Sequence, residues 1–156
     1  MNGTGVFITG ICAAAIVGGA LVAPSIIQAK EIEALRSQCW SENTQDIFKR
    51  LATGILKDQL ALMAKGDGGL SRADIDAATS IAAQSFHTLS VDEKAQAVRC
   101  GAQLDFTFKR KDGKLLRNPG SIVEFAVHPS TSGHVVVTSS RGDIFQHIIE
   151  AAQVQD

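Results

Sequence analysis

From Gly5 through Ile27 the chain reads "GVFITGICAAAIVGGALVAPSII", without one charged residue. About 23 residues of helix at a 1.5 Å rise reach roughly 34 Å, enough to cross a hydrocarbon core of about 30 Å. No other stretch of the 156 residues is both long and apolar enough to do this. A core helix of that length would normally keep a polar face. The expected plan is therefore a membrane anchor or signal segment at residues 1–29 and one extracytoplasmic domain at residues 30–156. That domain, about 125 residues long, has the usual size of a single folding unit.

Two exported fates follow. The apolar run is longer than the 7–15 residues of an ordinary signal-peptide core. This favours a retained single-pass anchor with its domain in the periplasm. Small residues that suit a signal peptidase stand at Ala23–Ser25 and, less well, at Ile27–Ala29, so secretion after cleavage is the alternative. The leading "MNGTG" carries no Lys or Arg. Gly10, Gly18 and Gly19 are ordinary transmembrane composition, though they also permit close helix approach.

Cys12 lies inside the apolar run and lacks the small preceding residue of a lipoprotein box, since Ile11 precedes it. Cys39 and Cys100 are left for the exported part. An even pair in an oxidising compartment is expected to form a disulfide. Closing so long a loop contributes about 4 kcal/mol in the chain-entropy model. Neither cysteine has surroundings that would activate a thiolate.

Residues 30–41 place Ile32, Leu35 and Cys39 on one helical stripe. In "NTQDIFKRLATGILKDQLALMAK", Ile47, Phe48, Leu51, Ile55, Leu56, Leu60 and Met63 recur at three- and four-residue steps, with Asn43 or Thr44 as cap. Ser71 with Asp74, and Ser90 with Glu93, are spaced as capping boxes. They predict helices over 72–87 and from 90 to a stop at Gly101.

After Gly101 the period falls to two. "LDFTFKRK", "KLLR", "SIVEFAVH" and "HVVVTSS" read as strands, broken by turns at Asp112–Gly113, at "NPG" and at "PSTSG". "GDIFQHIIEAAQV" closes the chain as a helix with Asp143 as cap. The predicted class is α+β: an N-terminal transmembrane or signal helix, about three helices, an antiparallel sheet of about four strands, and a C-terminal helix.

Little chemistry is advertised. "KGDGGLSRADI" matches the second half of a calcium loop around Gly68, but Met63 and Lys65 stand where its first carboxylates belong. It reads as a glycine turn before a capped helix. His128, His134 and His147 are candidates for a three-histidine site, with His87 a fourth imidazole. No spacing fixes them on one side. "RGD" at 141–143 reads as a strand-to-helix turn. Asp74 and Asp76 point different ways on a helix. No nucleophile elbow, P-loop or dinucleotide fingerprint is present, and no cofactor is expected. Net charge is −1, with no Tyr and a single Trp, Trp40, so no nucleic-acid partner is expected. The one concentrated basic patch is "KRKDGKLLR": Lys109, Arg110, Lys111, Lys114 and Arg117 against Asp112. It suits anionic headgroups, a cell-wall polymer or an acidic partner; a solvated hairpin tip would look the same.

Gly5, the apolar run with Pro24 near its end, and the amphipathic continuation resemble the N-terminus of a type IV pilin over about 40 residues. The resemblance implies removal of residues 1–5 and a helix continuing into a globular head, as in a fibre subunit. Pilins carry Glu at the fifth position after the cleavage-site Gly, where this chain has Gly10. The reading that best fits the residues is a membrane-anchored envelope protein. Its disulfide-stapled domain binds or assembles with other envelope proteins and is non-catalytic. The alternatives are a small secreted hydrolase using the histidines, and the pilin-like subunit.

Overall fold

The computed structural model describes residues 28–64, 70–130 and 134–153. The apolar segment with Cys12, and the glycine-rich stretch at 65–69 that carries the calcium-loop likeness, lie outside the described residues. The chain divides into two compact units, Met1–Ala34 and Leu35–Asp156. Of the first, residues 28–34 are described and are helical. Among the described residues, no helix is long and apolar enough to cross a membrane.

The second unit is α+β. It begins within helix α1 (residues 28–37), at Leu35, and α1 runs into a 3₁₀ turn, Gln38–Trp40. Helices α2 (Glu42–Ala64) and α3 (Arg72–Ala78) follow. Then come four strands, β1 (Thr79–Asp92), β2 (Ala97–Lys109), β3 (Leu115–Pro129) and β4 (Val135–Ser139), and helix α4 (Arg141–Gln153). The strands form one antiparallel meander in the order β1-β2-β3-β4.

The core follows from two periodicities. On α2, Phe48, Ile55, Leu56 and Leu60 of the expected stripe are buried and Ala52 joins them, while Ile47 and Leu51 are only partly buried. Its far end escapes: Leu62 and Met63 are exposed. On β2, Val98, Cys100, Ala102, Leu104, Phe106 and Phe108 alternate into the same core. Phe48 of α2 stacks on Phe125 of β3 with ring centroids 4.4 Å apart. Phe86 of β1 meets both rings edge-on. Each such aromatic pair contributes about 0.5–1.5 kcal/mol beyond area burial.

Three expectations about the elements are corrected. The helices expected over 72–87 and 90–101 are instead one short helix and a hairpin. The Ser71–Asp74 capping box forms, but α3 ends at Ala78. The Ala-rich run after it is β1, paired along β2. Helix propensity is a weak prior, and a strand pairing that fits the apolar face of β2 overrides it. The Ser90–Glu93 box does not form; Asp92 Oδ1 accepts the backbone N–H of Lys94 and Ala95 and builds the β1–β2 turn.

The third correction concerns "NPG". Instead of a turn between two strands, it is a bulge inside β3. Pairing passes from Asp105↔Pro119 to Leu104↔Ser121, leaving Gly120 over. Gly120 sits at φ +87°, a backbone region glycine reaches without steric cost. The extra residue shifts the parity of the strand, so that Leu116 before it and Val123, Phe125 and Val127 after it all face the core. The caps also differ from those expected, lying two or three residues earlier than Asn43 or Thr44 and than Asp143. Ser41 Oγ accepts the Thr44 N–H at the start of α2, and Ser140 Oγ accepts the Asp143 N–H at the start of α4.

Candidate functional site

Cys39 and Cys100 are disulfide-bonded, and both are fully buried. The bond joins the 3₁₀ turn after α1 to a central strand of the sheet. Cys100 stands in register with Thr88 on β1 and Phe125 on β3. The staple therefore enters beside the aromatic trio. Thr88 Oγ1 donates to the Arg36 carbonyl at 3.0 Å, a second tie between the end of α1 and the sheet. Sequence reading found this bond because two cysteines outside the apolar run admit one pairing.

The five basic residues crowd the β2–β3 hairpin at the other end of β2. Gly113, at φ +82°, lets the turn close, with Arg110 N–H donating to the Lys114 carbonyl at 2.8 Å. Phe108 and Leu116 point into the core and are cross-strand partners. Their neighbours Lys109, Leu115 and Arg117 are therefore on the opposite face. All five cations are exposed, and so is Leu115, at 55%. Two carboxylates temper the charge. Asp112 lies 3.9 Å from Arg110 and accepts the Lys114 backbone N–H. Asp74 feels the field of Lys111. The carboxyl of Asp74 is held below its usual range, chiefly by the Ser71 hydroxyl and backbone N–H in the capping box.

The outer face of the sheet is polar and largely self-paired. Arg99 and Glu124 form an ion pair, and Gln84 donates to Asp105 at 2.8 Å. The His87 ring lies over Gly101, whose missing side chain leaves it room. Asp76, weighed with Asp74 as an acid–base pair, is bound by Lys57 at 2.7 Å, which lowers its pKa.

The histidines are not brought together as a group. His128 faces Val136 in the β3–β4 ladder, and His134 precedes β4. His147 is buried on α4, only 5% exposed. Among the described residues, no group of three or more His, Cys, Asp or Glu is placed to hold a metal ion. His147 instead joins a cluster with no signature in the residue pattern. Asn118, 3% exposed, donates from Nδ2 to His147 Nδ1 at 3.2 Å and to the His147 carbonyl at 3.3 Å. Its Oδ1 accepts from the Gly120 N–H and the Ser121 hydroxyl. Asn118 thus ties the β3 bulge to α4. Accepting from Asn118 requires Nδ1 to be unprotonated, so the ring is neutral with its proton on Nε2. Burial lowers the His147 pKa against the pull of Glu150 and Asp143.

Beside this cluster a groove of about 510 Å³ is lined by Ser121, Ile122, Glu124, Asp143, Gln146, His147 and Glu150. A second, of about 380 Å³, shares Glu124 and Asp143 with it. Both are open; in the first, the Ser121 hydroxyl donates to the Asn118 amide oxygen and to the Glu150 carboxylate, each at 3.3 Å. No protein-family model matches the chain, and neither a curated protein nor a solved structure is significantly similar to it.

Proposed function

We propose that this chain is an envelope protein whose N-terminal apolar segment holds it to a membrane. Its Leu35–Asp156 unit is then a disulfide-stapled binding or assembly domain on the extracytoplasmic side, non-catalytic and working with other envelope proteins. The observation that carries the reading is the buried Cys39–Cys100 bond. Stable disulfides belong to oxidising compartments. This one also has a mechanical sense. Its first cysteine follows the apolar run and α1 directly, so tension arriving along the chain from an anchor meets a covalent link into the sheet before it reaches α2. A domain that transmits load or holds a partner near a membrane benefits from such a link. A fold whose only staple lay elsewhere would unravel from α1 inward.

The test is fractionation of cells that produce the full chain. The expected result is a protein that stays with the membrane through an alkaline carbonate wash. It should be cut by protease added from the extracytoplasmic side, and should crosslink to other envelope proteins. Recovery from the cytosol, as a reduced monomer without crosslinked neighbours, would sink the proposal.

A further inference from the structure

The β2–β3 hairpin gathers five cations, of which Arg110 lies 3.9 Å from Asp112 and Lys111 acts on the Asp74 carboxylate. Lys109, Arg110, Lys111, Lys114 and Arg117 are exposed, and none lines the two grooves described above. They flank a Leu115 side chain that is 55% exposed. A carved anion site would gather such groups into a concavity with fixed hydrogen bonds. A fluid, diffuse negative surface asks only for a cluster of long basic side chains, with an apolar group able to enter the headgroup zone. Asp112 and Asp74 offset the charge in part and leave the tip net positive.

We infer that the β2–β3 hairpin tip docks on the anionic lipid surface of a membrane. Complementary charge is the recognition, with Lys and Arg stems lying along the interface and Leu115 dipping into it. The inference rests on the anchoring proposed above, because a tethered domain meets the bilayer at high effective concentration. Docking of this kind is weak per residue and strongly salt-dependent. The β1–β2 turn supplies an internal control. Lys94 is exposed there, at the opposite end of β2.

The experiment uses the full chain in nanodiscs of phosphatidylcholine alone, or of phosphatidylcholine mixed with phosphatidylglycerol. Lysines are acylated briefly and the labelled sites are quantified by mass spectrometry. Lys109, Lys111 and Lys114 should label about threefold or more slowly in the anionic discs, while Lys94 is unchanged. The difference should vanish near 0.5 M salt, a value at which screening is roughly complete over a few ångströms. Equal hairpin labelling in the two discs overturns docking, as does slowing of Lys94 to the same degree. Protection that appears only when soluble polyglutamate is added would assign the tip to an acidic polypeptide and also overturn it. The two proposals fail differently. A chain that enters neither disc contradicts anchoring and removes the tether that docking needs. Entry into both, with unchanged labelling, contradicts docking alone.

Discussion

The two ends of β2 are put to different uses. At one end Cys100 is bonded to Cys39, stands in register with Phe125, and lies beside the stacked rings of Phe48 and Phe125. At the other, Lys109 opens a turn whose side chains point into water. The first end gathers buried, mutually constrained groups that decide whether the domain folds. The second carries a cluster of exposed charge. Residues that cost little to change and yet cluster in kind are the natural place to look for a partner surface.

The contrast can be broken most forcefully at the stapled end. Phe125→Ala removes a ring that touches α2 and β1 at once, and is expected to cost about 3–5 kcal/mol in denaturant unfolding. Replacing both Cys39 and Cys100 by Ala should cost about 2–5 kcal/mol, measured the same way. If the double variant melts with the parent, the staple is incidental to the fold.

Between the two ends lies the β3 bulge. Gly120→Ala forces a side chain onto a left-handed residue and into the Gln103 and Asp105 side chains. It should destabilise by about 1–2 kcal/mol or more. Gly113→Ala at the tip has a similar φ but open space around it, and should cost less. Equal effects would mean that the bulge is not a constrained point.

A smaller effect belongs to His147. Its folded-state pKa is lowered by burial. As pH falls through the unfolded value of about 6.5, the unfolded chain takes up a proton that the native ring resists. Stability should therefore decline as pH drops below that point and be restored as pH rises. His147→Gln should flatten the slope between about pH 7.5 and 5.5, a window above most carboxylate titration. An unchanged slope would place the titrating group elsewhere. The smallest effect is expected at the tip: Lys114→Glu should shift stability by no more than about 0.5 kcal/mol.

How much of this was legible depends on whether a strand keeps its period. β2 alternates its core-facing residues without a break from Val98 to Phe108, and the sequence pattern shows the half from Leu104 onward as strand. The residues of β1 carry a pattern that predicts helix. Two irregularities, between Gln84 and His87 and between Thr88 and Ser90, change its parity twice. Its core-side residues Ile81, Ala83, Phe86 and Val91 then stand at uneven steps that imitate a helix. The same device hid β3, where Asn118, Pro119 and Gly120 look like a turn and act as a bulge. Asn118 and His147 could not have been paired in advance, being brought together only by the way α4 packs on β3. The disulfide and the basic hairpin were legible because neither depends on a period: one rests on counting cysteines, the other on a run of neighbours.

The most direct test of the account is the intact mass of the protein recovered from its host, alkylated in denaturant with and without prior reduction. The account expects a full-length chain of 156 residues taking one label at Cys12 before reduction and three after it. Three labels without reduction would contradict the staple and the oxidising compartment together. A chain shortened by about 25–29 residues, as signal cleavage would leave it, would contradict the anchor.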